Sequence, residues 1–62
     1  MFDDAAKFTN GYAMIIEDGK AYFIDENMQK FGEGIPATTV RTYGELFEVT
    51  TDAGKIYLSV PQ

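Results

Sequence analysis

The sequence predicts an all-β fold: a small antiparallel sheet or barrel-like roll of about four to six strands, built from two similar β-hairpins. Three observations point there. Asp18-Gly19 sits between two apolar runs, the strongest short hairpin signal, because a type I′ turn needs positive φ at both central residues. A second Gly-Lys, at Gly54-Lys55, is followed like the first by a tyrosine two residues after the lysine. The stretch from Ala37 to Tyr43, ATTVRTY, is rich in β-branched residues and reads as a further strand.

Taken in order, Asp3 to Phe8 reads as an extended lead-in. Hairpin unit 1 covers about residues 5–25. Pairing about Asp18-Gly19 sets Glu17 against Lys20, Ile16 against Ala21 and Met14 against Phe23. This hairpin is apolar on both faces, with Tyr12, Met14, Ile16, Ala21 and Phe23 on one and Ala13, Ile15, Tyr22 and Ile24 on the other. A strand of that kind is covered on both sides. Either it lies centrally in the fold or one face meets a partner, and the latter predicts a homo-oligomer. Residues 26–36, ENMQKFGEGIP, read as a loop punctuated by Gly32, Gly34 and Pro36. Residues 37–60 form a strand and hairpin unit 2. Ala53-Gly54 as its turn sets Phe47 against Val60, Val49 against Leu58 and Thr51 against Ile56. That leaves one apolar face and a polar face of Glu48, Thr50, Asp52, Lys55, Tyr57 and Ser59.

A gapless slide by 35 positions supports the same register. It lays Gly19 on Gly54, Lys20 on Lys55 and Tyr22 on Tyr57, with Tyr12 on Phe47 and Met14 on Val49. Such a period marks a duplicated supersecondary unit.

The residues Phe8, Gly11, Ala13, Gly19, Lys20, Phe23, Ile24 and Asp25 stand where a WG repeat would have its own. The first half of the chain thus resembles that β-hairpin repeat family, over about two degenerate units. Ala21-Tyr22 occupies the place of the Trp-Gly pair, and the second unit keeps Tyr43, Gly54, Lys55, Tyr57 and Leu58. The resemblance implies a β-hairpin array used for binding and scaffolding, with no catalytic residue to carry over.

The 62 residues make one domain, residues 1–62. A chain this short buries only about 60% of its unfolded surface, so its stability is marginal. With no cysteine it has neither disulfide nor thiolate metal site, and with no histidine it lacks the commonest metal ligand and general base. Its one serine, Ser59, therefore has no conventional activating partner. The paired acids Asp3-Asp4, Glu17-Asp18 and Asp25-Glu26 read as solvated carboxylates at strand ends. The segment from Asp25 resembles a calcium loop but has Lys30 where that loop needs glycine. The expectation is a chain without catalytic residues, metal or cofactor, and not an enzyme.

A net charge of −5 predicts repulsion from nucleic-acid phosphates and anionic membranes, so no direct nucleic-acid binding is expected. The longest uninterrupted apolar run, Tyr12 to Ile16, is far too short to span a bilayer, and the acidic start MFDDAAKF does not read as a signal peptide. A cytoplasmic protein follows, and a chain running from Met1 to Pro61-Gln62 reads as one small reading frame.

What remains is a protein-binding module, an inhibitor or adaptor of the phage or mobile-element type. It would dock by an edge strand or an aromatic face. The candidate partner-binding residues are Tyr22 and Tyr57, exposed tyrosines of the kind interfaces favour, and the acids Asp18, Asp25 and Glu26 around hairpin 1. Two alternatives are a nucleic-acid mimic that blocks a DNA-binding enzyme and a homo-oligomer that sequesters a small molecule.

Overall fold

A computed structural model describes residues 2–60. It is all-β, with seven strands: β1 (Asp4–Ala5), β2 (Tyr12–Glu17), β3 (Lys20–Asp25), β4 (Lys30–Pro36), β5 (Thr39–Tyr43), β6 (Leu46–Thr51) and β7 (Gly54–Ser59). They form two antiparallel sheets, ordered β1-β2-β3-β4 (sheet A) and β5-β6-β7 (sheet B). Among the described residues no helix is long and apolar enough to cross a membrane.

Hairpin 1 forms in the register its turn chemistry dictates. Asp18 and Gly19 take φ of 53° and 77°, and Glu17 pairs with Lys20, Ile16 with Ala21 and Met14 with Phe23. The same chemistry recurs one turn earlier. Asn10 and Gly11, at φ 53° and 85°, fold the chain so that Thr9 and Tyr12 form an isolated bridge. The lead-in is thereby returned as β1, which pairs Asp4 with Ile16 and Ala5 with Ile15. Asn-Gly was a legible signal for that turn.

Two expectations need correction. The segment 26–36 is not all loop, since Lys30–Pro36 is β4 and pairs with β3. Gly32 and Gly34 punctuate it as glycines in an irregular strand rather than as loop residues. Both have positive φ, and the β3–β4 register shifts between Ala21 and Phe23. At Gly34 any Cβ would lie 2.8 Å from Tyr22 Cε1, so the missing side chain makes room for that ring.

The second correction is the turn of hairpin 2. It is Asp52-Ala53, not Ala53-Gly54, so Val49 pairs with Ile56, Phe47 with Leu58 and Thr51 with Gly54. The Thr51 hydroxyl decides this locally. It accepts a hydrogen bond from Ala53 N at 3.1 Å and donates to Gly54 O at 2.8 Å. Neither central residue needs positive φ, which falls instead on Gly54 at 123°. The turn moves by one residue and the pairing by two, so every side chain keeps its expected face.

The two hairpins are one outline at a spacing of 34, since β6 and β7 begin and end 34 residues after β2 and β3. The 35-residue spacing matches buried faces instead of backbones. Odd and even spacings exchange the two sides of a strand, and sheet B turns toward sheet A a face that a 34-residue copy would turn away.

Between the sheets lies the main core: Met14, Ile16 and Ala21 from sheet A, Val40, Phe47 and Val49 from sheet B, and Ala37 from the link. Phe23 and Phe47 meet edge to face at 5.7 Å between ring centres. Along one side the sheets are tied by hydrogen bonds. Asp4 Oδ2 accepts from Val40 N at 3.1 Å, and Thr42 Oγ1 donates to Lys7 O at 3.2 Å.

Candidate partner-binding face

Each sheet has an outer face, and the two are finished differently. On sheet A, Ala13, Ile15 and Ile24 are buried although they point away from the main core. Phe2 and Tyr22 pack over them, and Lys30 crosses the Tyr22 ring, 4.9 Å from its centre, to hydrogen-bond Glu17. That contact lowers the Glu17 pKa and raises that of Lys30, the hydrogen bond being the main cause in both. The second apolar face of hairpin 1 is thus covered by the chain itself. The surface from which a homo-oligomer was expected is not free.

Among the described residues the outer face of sheet B has no such roof. Strand alternation brings three rows to it: Tyr43 with Leu46 and Ser59, Arg41 with Glu48 and Tyr57, and Thr39 with Thr50 and Lys55. Tyr43, Leu46 and Tyr57 are 59%, 37% and 48% exposed, and the two tyrosine rings stand 5.4 Å apart. Beneath them Glu48, on the central strand, is only 7% exposed. Its Oε2 accepts a hydrogen bond from the Tyr57 hydroxyl at 3.0 Å, and Oε1 lies 3.6 Å from Lys55 Nζ. A buried carboxylate needs such partners. The bond to Glu48 also holds the Tyr57 proton more tightly and raises its pKa. It fixes the ring, so the exposed aromatic surface is ordered before any contact is made. A polar hollow of about 330 Å³, lined by Asp4, Arg41, Glu48 and Lys55 among others, lies beside this patch.

The five residues singled out from the sequence do not form one surface. Tyr57 lies in the patch just described. Tyr22 is half-buried on the opposite side of the molecule, under Lys30 and against Gly34, as a packing residue. Asp18 occupies the β2–β3 turn. Asp25 and Glu26 stand at the far end of β3, where Asp25 Oδ1 accepts from Asn27 N at 2.8 Å and Gln29 N at 3.0 Å and so shapes the next turn. Tyr43 and Leu46 were missed. Gly44-Glu45 between them is a turn signal that would have set them opposite each other and on the Tyr57 side.

A second concavity, of about 300 Å³ and apolar, opens on the inner side of β3 and β4, where Met14, Phe23, Phe31 and Ile35 line it. Among the described residues no group of three or more acids is placed to hold a metal ion. Comparison with known proteins finds no matching family model, no similar curated protein and no similar solved structure.

Proposed function

We propose that this protein is a non-catalytic protein-binding module, an inhibitor or adaptor, and that its partner docks on the outer face of sheet B. The observation that carries this reading is the contiguous exposed patch of Tyr43, Leu46 and Tyr57 over a buried, fully engaged Glu48. Large apolar side chains left together on one rigid face mark an interaction surface, and tyrosine offers contact area at low entropic cost. The resemblance of hairpin 1 to a binding and scaffolding repeat agrees with it. The nucleic-acid-mimic alternative calls for a row of carboxylates, whereas Glu17 is ion-paired, Asp25 is tied into a turn and Glu48 is buried.

The test is affinity capture with the wild-type chain, followed by titration of the captured protein after purification. Tyr43→Ala and Tyr57→Ala each weaken binding by about tenfold or more, while Tyr22→Ala leaves it unchanged in any variant that remains folded. Equal capture by wild type and both sheet B variants would refute the assignment. The apolar groove beneath β4 supports a second reading, a small-molecule binder. A thermal-shift screen of compact hydrophobic ligands checks it, and a rise in Tm abolished by Phe31→Ala would favour it.

A further inference from the structure

The two sheets offer four edge strands, and three of them are guarded. β1 is two residues long. β5, the edge beside it, has its Val40 amide capped by the Asp4 carboxylate. β4 has two glycines at positive φ, a register shift and a terminal proline. All of these are devices that stop an edge from recruiting another strand. Among the described residues, β7 has none of them. It runs six residues in unbroken register with β6, has no proline and has glycine only at its first position. Its single charged side chain, Lys55, leans back toward Glu48 instead of guarding the edge.

We infer that β7 pairs with β7 of a second copy of this chain, antiparallel about Tyr57, joining two three-stranded sheets into one of six strands. Charge and side-chain pattern select this occupant. Each chain carries −5, so two copies repel over most of their surface, yet the segment from Ala53 to Val60 contains no acid. Centred on Tyr57, the pairing sets Ile56 against Leu58 of the second copy on the inner face. On the outer face Tyr57 meets Tyr57, and Lys55 meets Ser59. Apolar faces apolar, aromatic faces aromatic, and no like charges are opposed. A two-fold axis between the paired strands, normal to the sheet at Tyr57, keeps inner with inner, because directly opposed residues of an antiparallel pair share a face. Tyr57 also belongs to the aromatic patch, so the axis joins two patches into one doubled surface that neither chain has alone.

The chain lacks cysteine, so single substitutions report the geometry directly. Tyr57→Cys places two thiols at about 4.5–5.5 Å between Cα atoms, within disulfide range. Under mild oxidation at high micromolar concentration it forms a covalent dimer faster than Tyr43→Cys, although Tyr43 is the more exposed residue. Equal or slower cross-linking at position 57 overturns the proposal. Sedimentation equilibrium supplies the independent arm at Ser59, which is exposed. Ser59→Glu, set against Lys55, tightens the dimer, and Ser59→Lys loosens it. The two dissociation constants differ by about tenfold. A strictly monomeric wild type at that concentration, or Ser59 variants that match each other, refutes the pairing.

Discussion

The outer faces of the two sheets make the most instructive comparison in this protein. Both belong to hairpins of the same outline, yet one is roofed and the other bare. On sheet A, an apolar floor of Ala13, Ile15 and Ile24 is closed over by Phe2 and Tyr22 and strapped by the Lys30–Glu17 pair. On sheet B, the floor is a polar network around Glu48, and the apolar side chains stand up from it into solvent. The first arrangement contributes stability by removing apolar area from water, at roughly 25 cal/mol per Å². The second leaves that gain unclaimed until another surface arrives. A chain of 62 residues has little core to spare, so exposing three large apolar groups on one face is a cost, one that the proposed docking would offset.

If this contrast is right, equivalent truncations behave differently on the two sides. Ile15→Ala should cost about 2–5 kcal/mol, because Ile15 is buried and the cavity it leaves cannot collapse freely. Leu46→Ala, at the start of β6 on the bare face and 37% exposed, should cost less than about 1 kcal/mol. Urea denaturation of the two variants checks this, and similar midpoints would erase the distinction.

Gly34→Ala sharpens the comparison from the roof itself. It forces positive φ on a residue with a Cβ and drives that atom into the Tyr22 ring. A loss of about 1–3 kcal/mol is expected, read as a lower thermal midpoint. Gly44→Ala, where φ is also positive but no atom lies within 4 Å, should cost only the backbone part.

The smallest effects are in the pH dependence. The Lys30 bond lowers the Glu17 pKa on folding, so its contribution is present above the ordinary glutamate range and disappears as pH falls through the lowered value. The raised pKa of Tyr57 works in the other sense. Its contribution is full below the ordinary tyrosine range and is lost as pH climbs through the raised value. Lys30, also raised, adds a loss on the alkaline side. Glu17→Gln should therefore flatten the acid limb of a stability–pH profile, and Tyr57→Phe should remove part of the alkaline limb while leaving the acid limb alone. Thermal unfolding across pH at low salt reads both, and added salt shrinks the Glu17 effect first because that pair is exposed.

Local chemistry was readable wherever a turn demanded it. Asp18-Gly19 gave the register of hairpin 1 to the residue, since few sequences tolerate two successive positive φ angles. Asn10-Gly11 carries the same two-residue signal and Gly44 a single positive φ, and these turns place β1 and the Tyr43–Leu46 pair. Asp52-Ala53 was harder, because the repeat of Gly-Lys moved the expected turn one residue forward, and the pairing with it by two. The actual turn depends on a hydroxyl, that of Thr51, rather than on a glycine. Of the candidate site, only Tyr57 was legible. An alternating strand tells which residues share a face, but not whether that face will be covered.

The sequence by itself determined an all-β chain, the partition of each strand into two faces, and the absence of cysteine and histidine chemistry. These follow from side-chain period and from residue type, which are local. Only the tertiary structure decided that β4 completes sheet A, that the second apolar face of hairpin 1 is roofed, and that the equivalent surface of sheet B is left bare with one unguarded edge. Those outcomes depend on where Phe2, Lys30 and Asp4 arrive after the chain has folded back on itself, and contacts between residues distant in sequence leave no periodic trace along it.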